Sequence, residues 1–173
     1  RATIGLKGKF NDDWSFEASY ELTSKGDIRP RDGEFKDVAL TYDGWRAGEI
    51  TAGQFKIPFG LEELTSSNDT LFIERALPVD AFAPSRRLGV GISHQRADYT
   101  VSAMVFGSSI DGGDRGRGLA ARLTFAPVQS ANTVVHLGLA AASEKPRGKV
   151  DLDTAPESRV ADVDLVNTGS ISN

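Results

Sequence analysis

The feature that most constrains this chain is a hydrophobic repeat of period two. From Trp14 to Thr23, apolar and aromatic side chains occupy every second position, and Ser, Glu and Thr stand between them. Alternate residues of a β-strand point to opposite faces of a sheet, whereas a helix would spread the two sets around its circumference. The segment is therefore predicted to be a strand with one apolar and one polar face.

The same alternation recurs and predicts about nine strands in an antiparallel meander. The apolar positions of the other segments are Ile4, Leu6 and Phe10; Val38, Leu40 and Tyr42; Val90 and Ile92; Tyr99, Val101, Ala103 and Val105; Leu119, Ala121, Leu123 and Phe125; Val135, Leu137, Leu139 and Ala141; and, more weakly, Ala161, Val163 and Leu165. From Trp45 to Ile57 the pattern is irregular, and a bulge near Gly48 is one explanation. All 7 prolines fall between predicted strands. This placement supports the strand assignment, because proline cannot donate a ladder hydrogen bond.

The connections between the predicted strands alternate in length. Short connections are expected at 11–13, 43–44, 96–98 and 126–133, and long ones at 24–34, 58–87, 108–117 and 143–157. Bacterial outer-membrane barrels have tight periplasmic turns and longer extracellular loops. Aromatic residues also flank the short turns, as in the girdles of such barrels; they are Phe10, Trp14, Tyr42, Trp45, Tyr99 and Phe125.

Composition narrows the alternatives. The chain is 39% hydrophobic, lacks Cys and carries a formal net charge of −4, which argues against disorder, thiolate chemistry and nucleic-acid binding. It has no apolar run of the length that a transmembrane helix needs. A soluble all-β binding module would also show alternating faces. The loop lengths, the aromatic positions and the absence of charge from the apolar faces favour an antiparallel up-and-down transmembrane β-barrel instead.

No catalytic or metal-binding constellation is predicted. His94 and His136 lie far apart, and no Ser, His and acidic group can be placed together. The acidic loop 111–114 could hold calcium, but a solvated loop is the simpler interpretation. We therefore expect no cofactor and no enzyme activity.

The segment 57–87 is too long for a hairpin loop and is rich in apolar residues. Burying those side chains would require the segment to fold into the barrel mouth, and its run 70–77 is predicted to form a short helix. The residues around it, Gly53-Gln54-Phe55-Lys56-Ile57-Pro58-Phe59-Gly60-Leu61-Glu62, then Ser66-Ser67, then Phe72-Ile73-Glu74-Arg75, resemble the phosphate-selective porin O and P family.

This resemblance implies a trimeric channel of about 16 strands in the Gram-negative outer membrane, with an inward-folded loop that carries Arg and Lys. Residues 1–173 would form a partial β-barrel porin domain, about half of the barrel, and 57–87 its constriction loop. The implied function is passive diffusion of small, phosphate-like anions. The partners would be membrane lipid, small anionic solutes and two further copies of the chain. A non-selective general porin of the same architecture is the alternative.

Candidate anion contacts in the pore are Lys56, Arg75, Arg86, Arg87 and Arg122, and candidate constriction residues are Phe59, Glu62, Asn68 and Glu74. Alternation places Arg87 inward, opposite to Leu88, and Lys56 inward together with Gln54, with Phe55 pointing away. Pairing of Glu74 and Arg75 with partners that hold the loop is an equally good interpretation. The family carries Lys where this chain has Asn68, and acidic residues outnumber basic ones in the loop. A non-selective general porin therefore stays an alternative interpretation.

Overall fold

The computed structural model describes residues 2–22, 33–66, 69–72, 75–112, 116–147, 153–154 and 166–169. Eight strands form one antiparallel sheet in which neighbours in the sheet are neighbours in the chain. The strands are β1 (Thr3–Phe10), β2 (Trp14–Glu21), β3 (Glu34–Tyr42), β4 (Glu49–Lys56), β5 (Arg86–Gln95), β6 (Tyr99–Phe106), β7 (Gly116–Ser130) and β8 (Thr133–Pro146). Two short strands, β9 (Asp153–Thr154) and β10 (Val166–Asn167), pair separately.

The predicted fold class is confirmed, since the sheet is an up-and-down meander with almost no helix. The sheet is open, with β1 and β8 as its outermost strands. The sheet contains 8 of the roughly nine expected strands within the described residues. The ninth predicted strand, at 161–165, lies outside the described residues.

The register keeps apolar residues on one side and polar residues on the other. Leu6 stands opposite Ala18, and Ala18 opposite Val38, while Lys7 stands opposite Glu17. We call the apolar side the outer face; it carries Leu6, Leu40, Ile92, Val105, Leu119 and Leu139. We call the polar side the inner face; it carries Lys7, Glu17, Thr51, Ser102 and Arg122.

No second layer covers the outer face within the part of the chain that the structure describes. Leu6, Val105 and Leu139 are 65%, 69% and 74% exposed. A soluble sandwich would bury such side chains against a facing sheet. The outer face therefore has the character of a surface that contacts lipid, not of one half of a packed core.

The aromatic residues gather at the short-turn end of the sheet, as expected. The rings of Phe10 and Trp14 are stacked with centroids 6.0 Å apart, and Trp14 lies 4.9 Å from Tyr42. Tyr99 and Phe125 face each other across β6 and β7. These residues form an aromatic band along one rim of the sheet.

The tight Asp43–Gly44 turn is a wrong prediction. The connection runs through residues 43–48, and the amide of Gly48 donates to the carbonyl of Trp45 at 3.1 Å. Gly48 has φ +142, a conformation that other residues rarely adopt. β4 begins only at Glu49, which explains why the pattern from Trp45 onward is irregular.

The connection expected at 126–133 is also wrong, because β7 continues to Ser130 and only residues 131–132 turn the chain. Pro127 accordingly lies inside a strand, where the register between β7 and β8 shifts between Phe125 and Val128. A bulge tolerates proline because a ladder hydrogen bond is already missing there. Pro146 is the last residue of β8.

The helix predicted at 70–77 is absent from the described residues of that run, because residues 69–72 and 75–76 are non-helical. Helical turns occur instead at α1 (Leu61–Leu64) and α2 (Leu77–Phe82). α2 begins at Leu77 because Pro78 fits the first turn of a helix but not its interior. In the described part of the chain, no helix is both long enough and apolar enough to cross a membrane.

Candidate pore-lining site

The inner face of β1–β4 borders a hollow of about 450 Å³ that charged and apolar residues line together. Lys7, Glu17, Asp37 and Thr51 contribute to its lining. Lys7 pairs with Glu17 across the first hairpin at 2.7 Å, as opposite charges on facing strands do. The hollow is therefore lined by charges that already compensate one another.

Phe55 lies on the inner face, where the sequence interpretation did not place it. It lines the same hollow, and a Cβ added to Gly91 would lie 3.0 Å from its ring. Gln54, expected to face inward, instead donates to the carbonyls of Phe35 and Lys36 at 2.7 and 3.0 Å. Alternation itself holds through β4, because Phe55 stands opposite the inward-facing Arg87, and Gln54 stands opposite Leu88 of the outer face. The sequence interpretation assigned the two faces of β4 the wrong way round, and Lys56 shares the strand phase of Gln54.

The long loop, residues 57–85, is packed against the inner face at its base. Ile57 is fully buried with Met104, Phe106 and Ala120, which come from β6 and β7. Phe59 packs against the same cluster, and the amide of Ile57 donates to the carbonyl of Ser85 at 3.3 Å. The two ends of the loop are thus held together over the inner face.

The rest of the loop is less buried than its composition predicts. Leu71, Phe72 and Phe82 are 98%, 77% and 65% exposed within the described part of the chain. The expectation that the apolar loop buries its side chains is therefore wrong for these three. By contrast, Ile57 and Phe59 at the base of the loop pack with the buried residues of β6 and β7.

Lys56 and Arg75, two of the predicted anion contacts, meet at Glu63 in α1. Lys56 donates to the Glu63 carbonyl and lies 3.9 Å from its carboxylate, and Arg75 lies 3.5 Å from the other carboxylate oxygen. Arg75 also donates to the carbonyls of Glu62 and Thr65 at 3.1 and 3.3 Å. Carbonyls at a helix C-terminus have no partner within the helix, so Arg75 closes the end of α1.

Among the constriction residues, Glu62 also has a structural contact, because its carboxylate accepts from the amide of Ala76 at 3.0 Å. Phe59 has the packing described above. Asn68 and Glu74 fall outside the described residues, so the predictions on them stay predictions.

Arg86 forms a two-point contact with Asp37. Its Nε and Nη2 donate to the two carboxylate oxygens at 3.0 and 2.8 Å. Asp37 is itself fixed by Ser19, whose hydroxyl bonds the Asp37 amide at 3.0 Å and its carbonyl at 3.3 Å. Ser19 lies at the register shift between β2 and β3, so its side chain replaces ladder hydrogen bonds lost at the irregularity.

Arg87 points inward, as alternation predicted, and is only 6% exposed. Its Nη2 donates to Glu144 of β8 at 2.9 Å, and its guanidinium lies 5.9 Å from the centre of the Phe106 ring. Gly118 leaves room for the Phe106 ring, because a Cβ at this position would lie 2.5 Å from the ring. Arg87 thus spans β6 and β7 to reach the last strand of the sheet.

Arg122 is different from the other four cations. It lies on the inner face of β7, between Ser102 of β6 and Ala140 of β8, and is half-buried. Among the residues that the structure describes, no carboxylate lies within ion-pair distance of it. Of the five predicted anion contacts, it is the one whose charge is uncompensated in the described chain.

Sequence reasoning missed Glu63 and Glu144 as partners of these cations, and it did not connect Asp37 with Arg86. The spacing carries no local signal, since Arg86 and Asp37 are 49 residues apart and Arg87 and Glu144 are 57 apart. Only the strand register brings them together. Gly89 allows close packing between β5 and β6, because a Cβ there would lie 2.8 Å from Met104.

Comparison with known proteins agrees with this architecture. The whole chain, residues 1–173, matches the family described as phosphate-selective porin O and P. Porin O of Pseudomonas aeruginosa is 31% identical over 168 residues, which are 92% of this chain and 37% of that protein. An uncharacterized protein of Caulobacter vibrioides is 29% identical over 155 residues, 82% of this chain and 29% of that protein.

The chain thus spans about a third of the length of these two relatives. The match over all residues, the meander and its two contrasting faces lead to one assignment. The chain belongs to the phosphate-selective porin O and P family, proteins of the Gram-negative outer membrane.

Proposed function

We propose that the full-length protein is a passive outer-membrane channel for small anions, and not an enzyme. The observation that carries this proposal is the contrast between the two faces of the sheet. Leu139 on the outer face is 74% exposed, while the inner face carries ion pairs such as that of Lys7 with Glu17. A wall with lipid on one side and water on the other requires this contrast.

The long loop is proposed to narrow the channel. Support comes from Ile57 and Phe59, which pack against inner-face residues of β6 and β7, and from the contacts of Glu63 with Lys56 and Arg75. A loop held in this way lies on the water side of the wall. Residues 57–87 would then set the bore of the partial barrel domain 1–173.

Charge in the bore would decide which ions pass. Lys56, Arg75, Arg86 and Arg87 each have a carboxylate partner, so their net effect on a passing ion is reduced. Arg122 has none among the described residues. We therefore assign the anion preference of this wall mainly to Arg122, with the paired cations as secondary contacts.

Planar-bilayer recordings of the full-length protein test this assignment. At about 6 Å in water, one unit charge changes the energy of an ion by about 0.7 kcal/mol, a factor of roughly 3 in occupancy. Arg122→Gln should lower the anion-to-cation permeability ratio at least threefold by that estimate, whereas Arg122→Lys should keep it. A reversal potential that is unchanged in Arg122→Gln contradicts the assignment.

A non-selective general porin is the second candidate. The pairs Lys7–Glu17, Arg86–Asp37 and Arg87–Glu144 favour it, because they leave little net charge on the inner face. Phosphate separates the two candidates. A channel with an anion site should show chloride current that phosphate blocks, and a general porin should show no block.

A homotrimer in membrane lipid is proposed from the family alone. Chemical cross-linking of the full-length protein in outer membranes checks it, since a trimer gives a ladder that ends at three copies. A product that ends at one or two copies contradicts it.

A further inference from the structure

We propose that Arg117 and Lys145 bind a phosphate group of a lipid headgroup in the outer leaflet. The two residues stand directly opposite each other in β7 and β8, and both are exposed. We call them the rim pair. The inference rests on the proposed barrel, because it needs the outer face to contact lipid, but it is independent of ion selectivity.

The rim pair lies on the outer face, at the end of the strands away from the aromatic band. Arg117 follows the same alternation as Leu119, Ala121, Leu123 and Phe125, and Phe125 belongs to the aromatic band. Eight residue steps separate Phe125 from Arg117, about 27 Å along the strand. With a tilt of about 40° the height difference is about 21 Å, close to the roughly 25 Å apolar band of such barrels.

Two cations placed directly opposite each other on one face of a sheet repel and destabilise the pairing. Within the described ranges, neither Arg117 nor Lys145 has an acidic side chain within ion-pair distance. The nearest acid in sequence, Glu144, points to the inner face and bonds Arg87. An anion that accepts hydrogen bonds from both cations would replace this repulsion by charge-assisted contacts.

The surface next to the rim pair favours a lipid over free phosphate. Leu119 lies one alternate position along β7 and is 59% exposed, and Val105, which stands opposite it in β6, is 69% exposed. Acyl chains would cover these side chains while the headgroup reaches the two cations. Because long loops face the cell exterior, the leaflet concerned is the outer one, whose glycolipids carry phosphorylated sugars.

Native mass spectrometry of the full-length protein in detergent tests the proposal, with bisphosphorylated lipid A as probe. Each Lys or Arg near an anionic membrane surface contributes about a factor of five, so Arg117→Gln with Lys145→Gln should weaken binding roughly thirtyfold. The matched control, Arg46→Gln with Arg96→Gln, removes two exposed cations from the short-turn end and should bind as the parent does.

Dephosphorylated lipid A should bind the parent as weakly as the double variant binds lipid A. Lys145→Glu provides a variant that keeps the wall folded, because it turns the repelling pair into an attracting one. It should raise stability to urea and still lose the lipid. Equal binding by parent and double variant, equal binding of dephosphorylated lipid, or displacement of lipid A by inorganic phosphate overturns the proposal. The reversal potential of the double variant should not change. A failure of the lipid proposal can therefore be distinguished from a failure of the proposed anion channel.

Discussion

Replacing Ile57 by Ala should detach the long loop from the wall and widen the channel. Ile57 is 0% exposed and is packed with Met104, Phe106 and Ala120. Truncation of a buried Ile to Ala costs about 2–5 kcal/mol. Because Ile57 follows the last residue of β4, we expect this cost to fall on loop docking more than on the strand ladder.

A loss of about 3 kcal/mol raises the ratio of detached to docked loop roughly 150-fold. Single-channel conductance of the full-length protein in planar bilayers should therefore rise or fluctuate between two levels. Leu71→Ala is the matched control, because it removes the same number of carbons from the same loop at a position that is 98% exposed. It should leave conductance unchanged.

Urea unfolding in liposomes shows whether the lost packing destabilises the strand ladder or only the docking of the loop. If Ile57→Ala lowers the free energy of unfolding while conductance stays at the parent value, Ile57 supports the wall and does not hold a constriction. That result would refute the inference that packing of Ile57 holds the loop that sets the width of the channel. Equal conductance changes in both variants would refute it as well, since burial would then not be the cause.

Three further predictions concern the wall itself, each measured by urea unfolding in liposomes. Glu144→Gln should cost about 1–3 kcal/mol, because it removes the carboxylate charge that pairs with the buried Arg87 guanidinium; parent-like stability would contradict a stabilising role of this pair. Ser19→Ala removes two hydrogen bonds to the Asp37 backbone and should cost about 1–2 kcal/mol; parent-like stability would contradict their role. Gly118→Ala should cost about 1–3 kcal/mol by overpacking, since the new Cβ would lie 2.4 Å from a backbone carbonyl; a neutral effect would show that the neighbouring backbone and the Phe106 ring can move to accept a methyl group.

The two-faced sheet could be predicted from sequence because alternation is a local property. In β2 every second residue from Trp14 to Tyr20 faces outward, and the register with β1 and β3 preserves this. The prediction for Phe55 was wrong because its apolar ring was assigned to the outer face, although it stands opposite the inward-facing Arg87. Which of the two alternating sets of β4 faces inward follows from its pairing with β5, where Gln54 stands opposite Leu88.

The candidate site was predictable only in part. The five cations could be named from sequence, and the inward direction of Arg87 follows from its neighbour Leu88. Which cations are compensated could not be predicted, since Asp37 and Glu144 come from distant strands. The predicted helix at 70–77 failed for a different reason: apolar residues without a clear period do not fix where a short helix begins, and Pro78 does.

The contact between Arg87 and Glu144 also bears on how the wall is shaped. The two residues belong to β5 and β8, and three strand spacings amount to about 14 Å in a flat sheet. The Arg87 and Glu144 side chains are long enough to cover most of this gap, so their salt bridge reaches across the two strands between them. The bridge therefore limits how far β5 and β8 can spread apart, because their separation would have to break a charge-assisted contact in addition to ladder hydrogen bonds.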